Sequence, residues 1–275
     1  PVAAGPSVME LYEACVSGAW PNAADAEKRN AACSRALQTR QLQPAEVALA
    51  RLTRGIARSV LGDKVLATED YREALKHYDG AIDPRNPDAL NLYRRAASLD
   101  ALGQTDRALA DYSEAIRVDP KGALAFLGRG VLLASRKRSY DRAIDDFSRT
   151  IEIEPNNTAA YIARGNAYSQ IGDNGRAIAD LDKAIALAPD DPQAYVVRGL
   201  AYNRRNEIAA ALRDYNKALE LDPRFASALA NRAAIYASEG KQDLAIRDLD
   251  HAIAIDSSNP LAYYNRGYAH FAKGE

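Results

Sequence analysis

Proline recurs after an acidic or small residue at Pro120, Pro155, Pro189 and Pro223, at intervals of 35, 34 and 34 residues. A fixed period of this length makes the chain a tandem array of one small structural element, because each copy alone is too short to bury its own apolar face. Alignment on these prolines lays Arg164-Gly165-Asn166-Ala167-Tyr168 over Arg198-Gly199-Leu200-Ala201-Tyr202, and residues 177–185 over 211–219. Inside each period, apolar or small residues recur at i, i+3, i+4 and i+7 in two stretches, at about positions 1–14 and 18–30. Turn residues such as Gly172-Asp173-Asn174-Gly175 separate them. The pattern predicts one helical hairpin per period and an all-α fold.

Two positions carry small residues where helices must approach closely. Position 8 holds Gly55, Ala96, Gly130, Gly165, Gly199, Ala233 and Gly267; position 20 holds Ala74, Ala108, Ala143, Ala177, Ala211 and Ala245. Glycine inside a helix costs about 1 kcal/mol relative to alanine, so its recurrence at one position means that close packing outweighs helix propensity there. Position 24 supplies the bulk that fills the contact, through Tyr78, Tyr112, Phe147, Leu181, Tyr215 and Leu249.

A large residue at position 4 (Tyr161, Tyr195), a small one at 8, Tyr at 11 (Tyr168, Tyr202, Tyr236), Ala at 20, an aromatic or Leu at 24, a small residue at 27 and Pro at 32 make residues 48–275 similar to the tetratricopeptide repeat family. The resemblance implies a right-handed α-solenoid of helix-turn-helix repeats, with first helices lining a concave groove and second helices forming the convex side. Repeats are read at 48–88, 89–122, 123–157, 158–191, 192–225 and 226–259, followed by a single helix at 260–275. Seven extra residues before Ala74 predict longer helices in the first repeat. The third repeat carries one extra residue in its turn, Ser135–Ser139.

Residues 1–47 read as an N-terminal helical cap, a degenerate helix pair over Val8–Ser17 and Asn22–Thr39, the second helix opening after Trp20-Pro21 with Asn22 as its N-cap. The only cysteines, Cys15 and Cys33, fall one on each helix. A disulfide between them would stabilise the cap by about 3 kcal/mol in the chain-entropy model and would imply an oxidising compartment; two separate buried thiols are the alternative. The chain opens Pro1-Val2-Ala3-Ala4-Gly5, which suits a processed exported chain and equally a trimmed one. The repeat style resembles tetratricopeptide proteins of Gram-negative bacteria, many of them exported. A periplasmic or secreted location is expected, with the cytoplasm as the alternative.

Charge and motifs exclude several functions. Lys plus Arg number 36 against 37 Asp plus Glu, with the signs interleaved, so nothing forms the basic stripe that nucleic acid requires. No stretch is apolar enough to span a membrane. His77, His251 and His270 lie in separate repeats without ligand-spaced neighbours, and Gly128-Arg129-Gly130 falls inside a helix rather than after a strand. Neither an enzyme nor a cofactor is expected. A regular Arg row at position 7 (Arg54, Arg95, Arg129, Arg164, Arg198, Arg232, Arg266) faces an Asp row at position 23 (Asp111, Asp146, Asp180, Asp214, Asp248). Unpaired charges beside a tight helix contact would be costly, so these rows predict a partly buried, structural Arg-carboxylate ladder.

In the family, positions 2, 5, 9, 12 and 13 of first helices point into the groove. The resemblance therefore nominates Leu52, Tyr93, Leu127, Val131, Ile162, Asn166, Gln170, Val196, Leu200, Asn203, Arg204, Tyr264 and Tyr268 as partner-contacting residues. Family members that clamp the C-terminal carboxylate of heat-shock chaperones use Lys and Asn there, and this sequence has no Lys at those positions, so that mode is not expected. The expected function is an adaptor that binds a peptide or protein segment. The alternative is a scaffold that self-associates through its faces and terminal helix into a homo-oligomer.

Overall fold

Helix starts follow from capping side chains. Asp88, Asn157, Asp191 and Asn259 open first helices by accepting hydrogen bonds from the free backbone N–H groups of the first turn, and Asp63 and Asp173 do the same for second helices. Pro44, Pro192 and Pro260 stand in the opening turn, where a missing N–H costs nothing. Between paired helices the backbone turns through the left-handed region at Gly62, Gly103, Gly172 and Gly240, with φ of 75–86°. Asn206 takes the same place in the fifth repeat, and Arg138, just after Lys137, also has a positive φ.

The computed structural model describes residues 6–17, 23–257 and 259–274. Trp20, Pro21 and the Asn22 cap expected from the sequence, like the opening Pro1–Gly5, lie outside them. Two compact units form, Pro1–Lys137 and Arg138–Glu275. In the first are α1 (Val8–Val16), α2 (Ala23–Gln38), α3 (Pro44–Val60), α4 (Lys64–Ala81), α5 (Ala89–Ala101), α6 (Thr105–Val118) and α7 (Ala123–Lys137). In the second are α8 (Tyr140–Ile153), α9 (Thr158–Gln170), α10 (Asn174–Leu187), α11 (Pro192–Arg204), α12 (Ile208–Leu221), α13 (Ala226–Ser238), α14 (Gln242–Ile255) and α15 (Pro260–Lys273). The fold is all-α, of the α-solenoid class, and within each unit consecutive helices pair as hairpins.

The first unit corrects the register of its first repeat. The ring of Tyr71 lies against Gly55, where a Cβ on the glycine would come within 2.6 Å of it, and Ala67 and Ala74 flank that contact as buried small residues. Positions 20, 24 and 27 are therefore Ala67, Tyr71 and Ala74. Ala74 and Tyr78 do not occupy positions 20 and 24, and the extra residues come after the contact, not before it. They prolong α4 to 18 residues and leave Tyr78 buried one step further along, beside α5 residues such as Ala97. The longer helices expected of this repeat are present, since α3 has 17 residues and begins at Pro44 rather than at 48. At the start of the unit, α1 and α2 bring Cys15 and Cys33 together, fully buried beside Ala50 of α3 with their sulfurs 2.12 Å apart.

Burial pushes the Tyr78 hydroxyl up to about 12 from an ordinary value of 10.0. Because the unfolded chain ionises this group first, its contribution to stability is complete below pH 10.0 and is lost as pH rises toward 12. Tyr78→Phe should flatten the alkaline fall in urea midpoint between those limits; an unchanged pH profile would exclude Tyr78 as its source.

Candidate functional site

The Arg and Asp rows form a ladder with one motif. Arg54, Arg95, Arg164, Arg198 and Arg232 each place Nε and Nη2 on the two carboxylate oxygens of Asp70, Asp111, Asp180, Asp214 and Asp248, at 2.7–2.8 Å. The partner is always sixteen residues ahead, on the second helix of the same hairpin. All five aspartates are buried, and the bidentate geometry is the arrangement in which a guanidinium best satisfies both oxygens. The carboxylate bond is the largest influence raising the proton affinity of Arg95, Arg164, Arg198 and Arg232. Asp146 is buried on α8, and Arg129 on α7 reaches Ser113 Oγ at 3.2 Å and lies 6.0 Å from the Phe126 ring.

Asp70 was not part of the expected row, yet it is the most heavily compensated carboxylate of the set. It is fully buried, and besides Arg54 it accepts from Arg58 Nη1 at 2.8 Å and lies 3.5 Å from Arg51 Nη1.

The third nitrogen of each arginine does work that the sequence rows did not reveal. Nη1 reaches back sixteen residues to the preceding second helix: Arg95 to Asp79, Arg129 to Ser113, Arg164 to Ser148, Arg198 to Asp182, Arg232 to Asn216 and Arg266 to Asp250, at 2.6–3.3 Å. Arg54 reaches Ser34 instead. In Arg95, Arg164, Arg198 and Arg232 one side chain thus ties three helices across two repeats. The guanidinium plane also lies over neighbouring rings, as Arg198 does over Tyr195 and Tyr202 at 5.6 and 5.8 Å. These cations are consumed by structure.

The first helices stand side by side within each unit, α3, α5 and α7 in the first and α9, α11, α13 and α15 in the second. Their side chains divide the expected contact residues into three groups. Val131, Asn166, Gln170, Arg204, Tyr264 and Tyr268 are exposed. Tyr93, Leu127, Ile162, Leu200 and Asn203 are half-buried, Tyr93 with its ring 6.0 Å from that of Tyr112. Leu52 and Val196 are buried in core clusters and present no surface, because position 5 there packs between neighbouring helices. Arg204 donates to the Ser169 carbonyl and, at 2.8 Å, to Ser169 Oγ, so this polar group on α11 is fixed to α9. Among the described residues no group of His, Cys, Asp and Glu side chains could hold a metal ion, and no helix is long and apolar enough to cross a membrane.

Family models described as tetratricopeptide repeat or TPR repeat match residues 93–158, 131–201, 199–240 and 233–274, together most of the chain. The chain belongs to the tetratricopeptide-repeat family. This tetratricopeptide-repeat chain is 32% identical over 77 residues to small glutamine-rich tetratricopeptide repeat-containing protein 2 of Mycosarcoma maydis, a match to 28% of this chain that spans only 22% of that protein. Among solved structures it is similar to a tetratricopeptide repeat protein from Parabacteroides merdae, with 19% identity, a TM-score of 0.64 and coverage of 90% of this chain and 93% of that one. It is also similar to YrrB, described as a TPR protein with an unusual peptide-binding site, with 24% identity, a TM-score of 0.50 and coverage of 73% and 99%. MamA from Desulfovibrio magneticus RS-1 matches at 23% identity with a TM-score of 0.53 over 64% of this chain and 99% of that one. At these identities the structures speak for the tetratricopeptide fold.

Proposed function

We propose that the protein is a non-enzymatic adaptor that holds a peptide or protein segment against its first-helix walls. The observation that carries this reading is the wall of the second unit, where half-buried Ile162 and Leu200 alternate with Asn166, Gln170, Asn203 and the anchored Arg204. Apolar side chains supply area there, and a few fixed polar groups supply register, the division of labour found in peptide grooves. The family fold and the peptide-binding site named for YrrB support the reading. In the first unit Tyr93, Leu127 and Val131 offer the corresponding surface. The close approach of Cys15 to Cys33 supports a bonded pair, and with it an oxidising compartment, the periplasm or the cell exterior.

A photo-crosslinking residue at Asn166 or Asn203 should label the partner in the native cell, whereas the same residue at exposed Lys183 or Lys217 on second helices should not. Ile162→Ala with Leu200→Ala should then weaken the captured partner by about tenfold or more while leaving the urea midpoint high enough for a folded wall. Equal labelling from both faces, or undiminished capture by the double variant, would overturn the assignment of the wall.

A further inference from the structure

The sixth repeat departs from the fourth around its position 11 tyrosine. On the side from which Arg232 reaches back to Asn216 of α12, α13 and α14 enclose a cleft of about 310 Å³. Tyr236, Leu244, Arg247 and His251 line it, together with the paired Arg232 and Asp248. Two repeats earlier, Arg176 lies over the Tyr168 ring at 4.5 Å and pairs with Asp173. In the sixth repeat Leu244 stands at the place of Arg176, Lys241 at that of Asp173 and Arg247 at that of uncharged Ala179. The exchange gives the tyrosine an aliphatic neighbour in place of a guanidinium, and it replaces a carboxylate by a cation. Lys241 pairs with Glu239 at 2.8 Å.

The charges in this cleft do not cancel. Asp248 is held by Nε and Nη2 of Arg232 at 2.7 and 2.8 Å, and the third nitrogen of Arg232 takes neutral Asn216, where Arg198 takes Asp182. Arg247 and His251, one helical turn apart on α14, are exposed and have no hydrogen-bond or ion-pair partner among the described residues. Asp243 and Asp250, the two carboxylates at helical pairing distance from Arg247, are engaged by Lys273 and Arg266 at 2.9 and 2.7 Å. A solvated arginine needs no anion, but these two donors stand at the edge of a cleft with a ring and an aliphatic side chain in its wall.

We infer that the cleft is a binding site for a small organic anion, a carboxylate or phosphate group carried on an aromatic or aliphatic body. Arg247 and His251 donate to the oxyanion, and the body lies against Tyr236 and Leu244. Sites for organic ligands hold about 300–1,000 Å³, so this one suits a small molecule, and a bare inorganic ion would leave its apolar wall wet. Asp248 does not oppose the anion, because Arg232 already meets its charge. None of the residues assigned to the peptide-binding wall takes part, so the two sites are independent.

Calorimetric titration of the 275-residue chain with phenyl phosphate, phenylacetate, inorganic phosphate and benzyl alcohol tests the site. Saturable binding of at least one of the two organic anions is expected, about tenfold or more tighter than inorganic phosphate or the neutral alcohol, and the tighter of the two names the oxyanion. Arg247→Ala should weaken that binding about tenfold or more, and His251→Ala should weaken it too. Both side chains are exposed, so neither substitution threatens the fold. Lys183→Ala, at the place of His251 in the fourth repeat, and Ile162→Ala with Leu200→Ala should leave it unchanged. Failure of both organic anions to bind, equal binding of inorganic phosphate or benzyl alcohol, or binding indifferent to Arg247→Ala overturns the inference.

Discussion

Asp70→Ala should cost the first unit about 3–5 kcal/mol, the largest loss from any one carboxylate in the protein, because it leaves buried guanidinium charge without its counterion. Three arginines converge on this fully buried side chain, with Arg54 in bidentate contact and Arg58 at 2.8 Å. Coulomb attraction offsets the desolvation of these groups only while the carboxylate is present, so the variant keeps the cost and discards the gain. Asp79 is the internal control. It also accepts from an arginine, Arg95 at 3.3 Å, but its side chain is 44% exposed, and exposed pairs contribute at most about 1 kcal/mol. Urea unfolding of Asp70→Ala, Asp70→Asn and Asp79→Ala gives the comparison, and hydrogen exchange should place the loosening in α3 and α4. If Asp70→Ala unfolds within about 1 kcal/mol of Asp79→Ala, solvent reaches the arginine cluster and the buried-charge argument fails.

Asp70 also shows why part of the fold was legible in the sequence and part was not. The hairpins follow from a period that every repeat shares, and the ladder follows from two charged rows that had to neutralise each other beside a tight contact. The first repeat contains the small-aromatic-small pattern twice, as Ala67, Tyr71 and Ala74 and again as Ala74, Tyr78 and Ala81. The two readings differ by seven residues, about two helical turns, so both put their small residues on the same helix face and periodicity cannot separate them. Charge can: the first reading puts Asp70, sixteen residues beyond Arg54, at position 23, whereas the second puts His77 there, twenty-three residues beyond it. The backward contact of each arginine was hidden for a different reason. Its acceptors vary among Asp, Ser and Asn, sharing only the ability to accept a hydrogen bond, and residue identity shows no row. On the first helices, whether position 5 faces outward depends on the spacing of neighbouring first helices. Leu52 and Val196 are buried there, whereas Tyr264 is 70% exposed.

The same physics gives opposite signs at one position in the second unit. Tyr215 is fully buried over Gly199, its ring filling the space that a Cβ would occupy, while its hydroxyl finds no hydrogen-bond partner among the described residues. Burial raises the proton affinity of that hydroxyl well above the ordinary range, and Asp214 adds to the shift. Tyr215→Ala should therefore cost about 3–5 kcal/mol, through lost apolar burial and a cavity between α11 and α12 that a glycine on the facing helix cannot fill. Tyr215→Phe keeps the ring and deletes only an unsatisfied polar atom, whose desolvation costs about 1–3 kcal/mol, so it should raise stability or leave it unchanged. Urea midpoints of the two variants, measured against the parent chain, decide the matter. A Phe variant less stable than the parent would mean that the hydroxyl is engaged in solution, and the ring alone would no longer account for the aromatic at position 24.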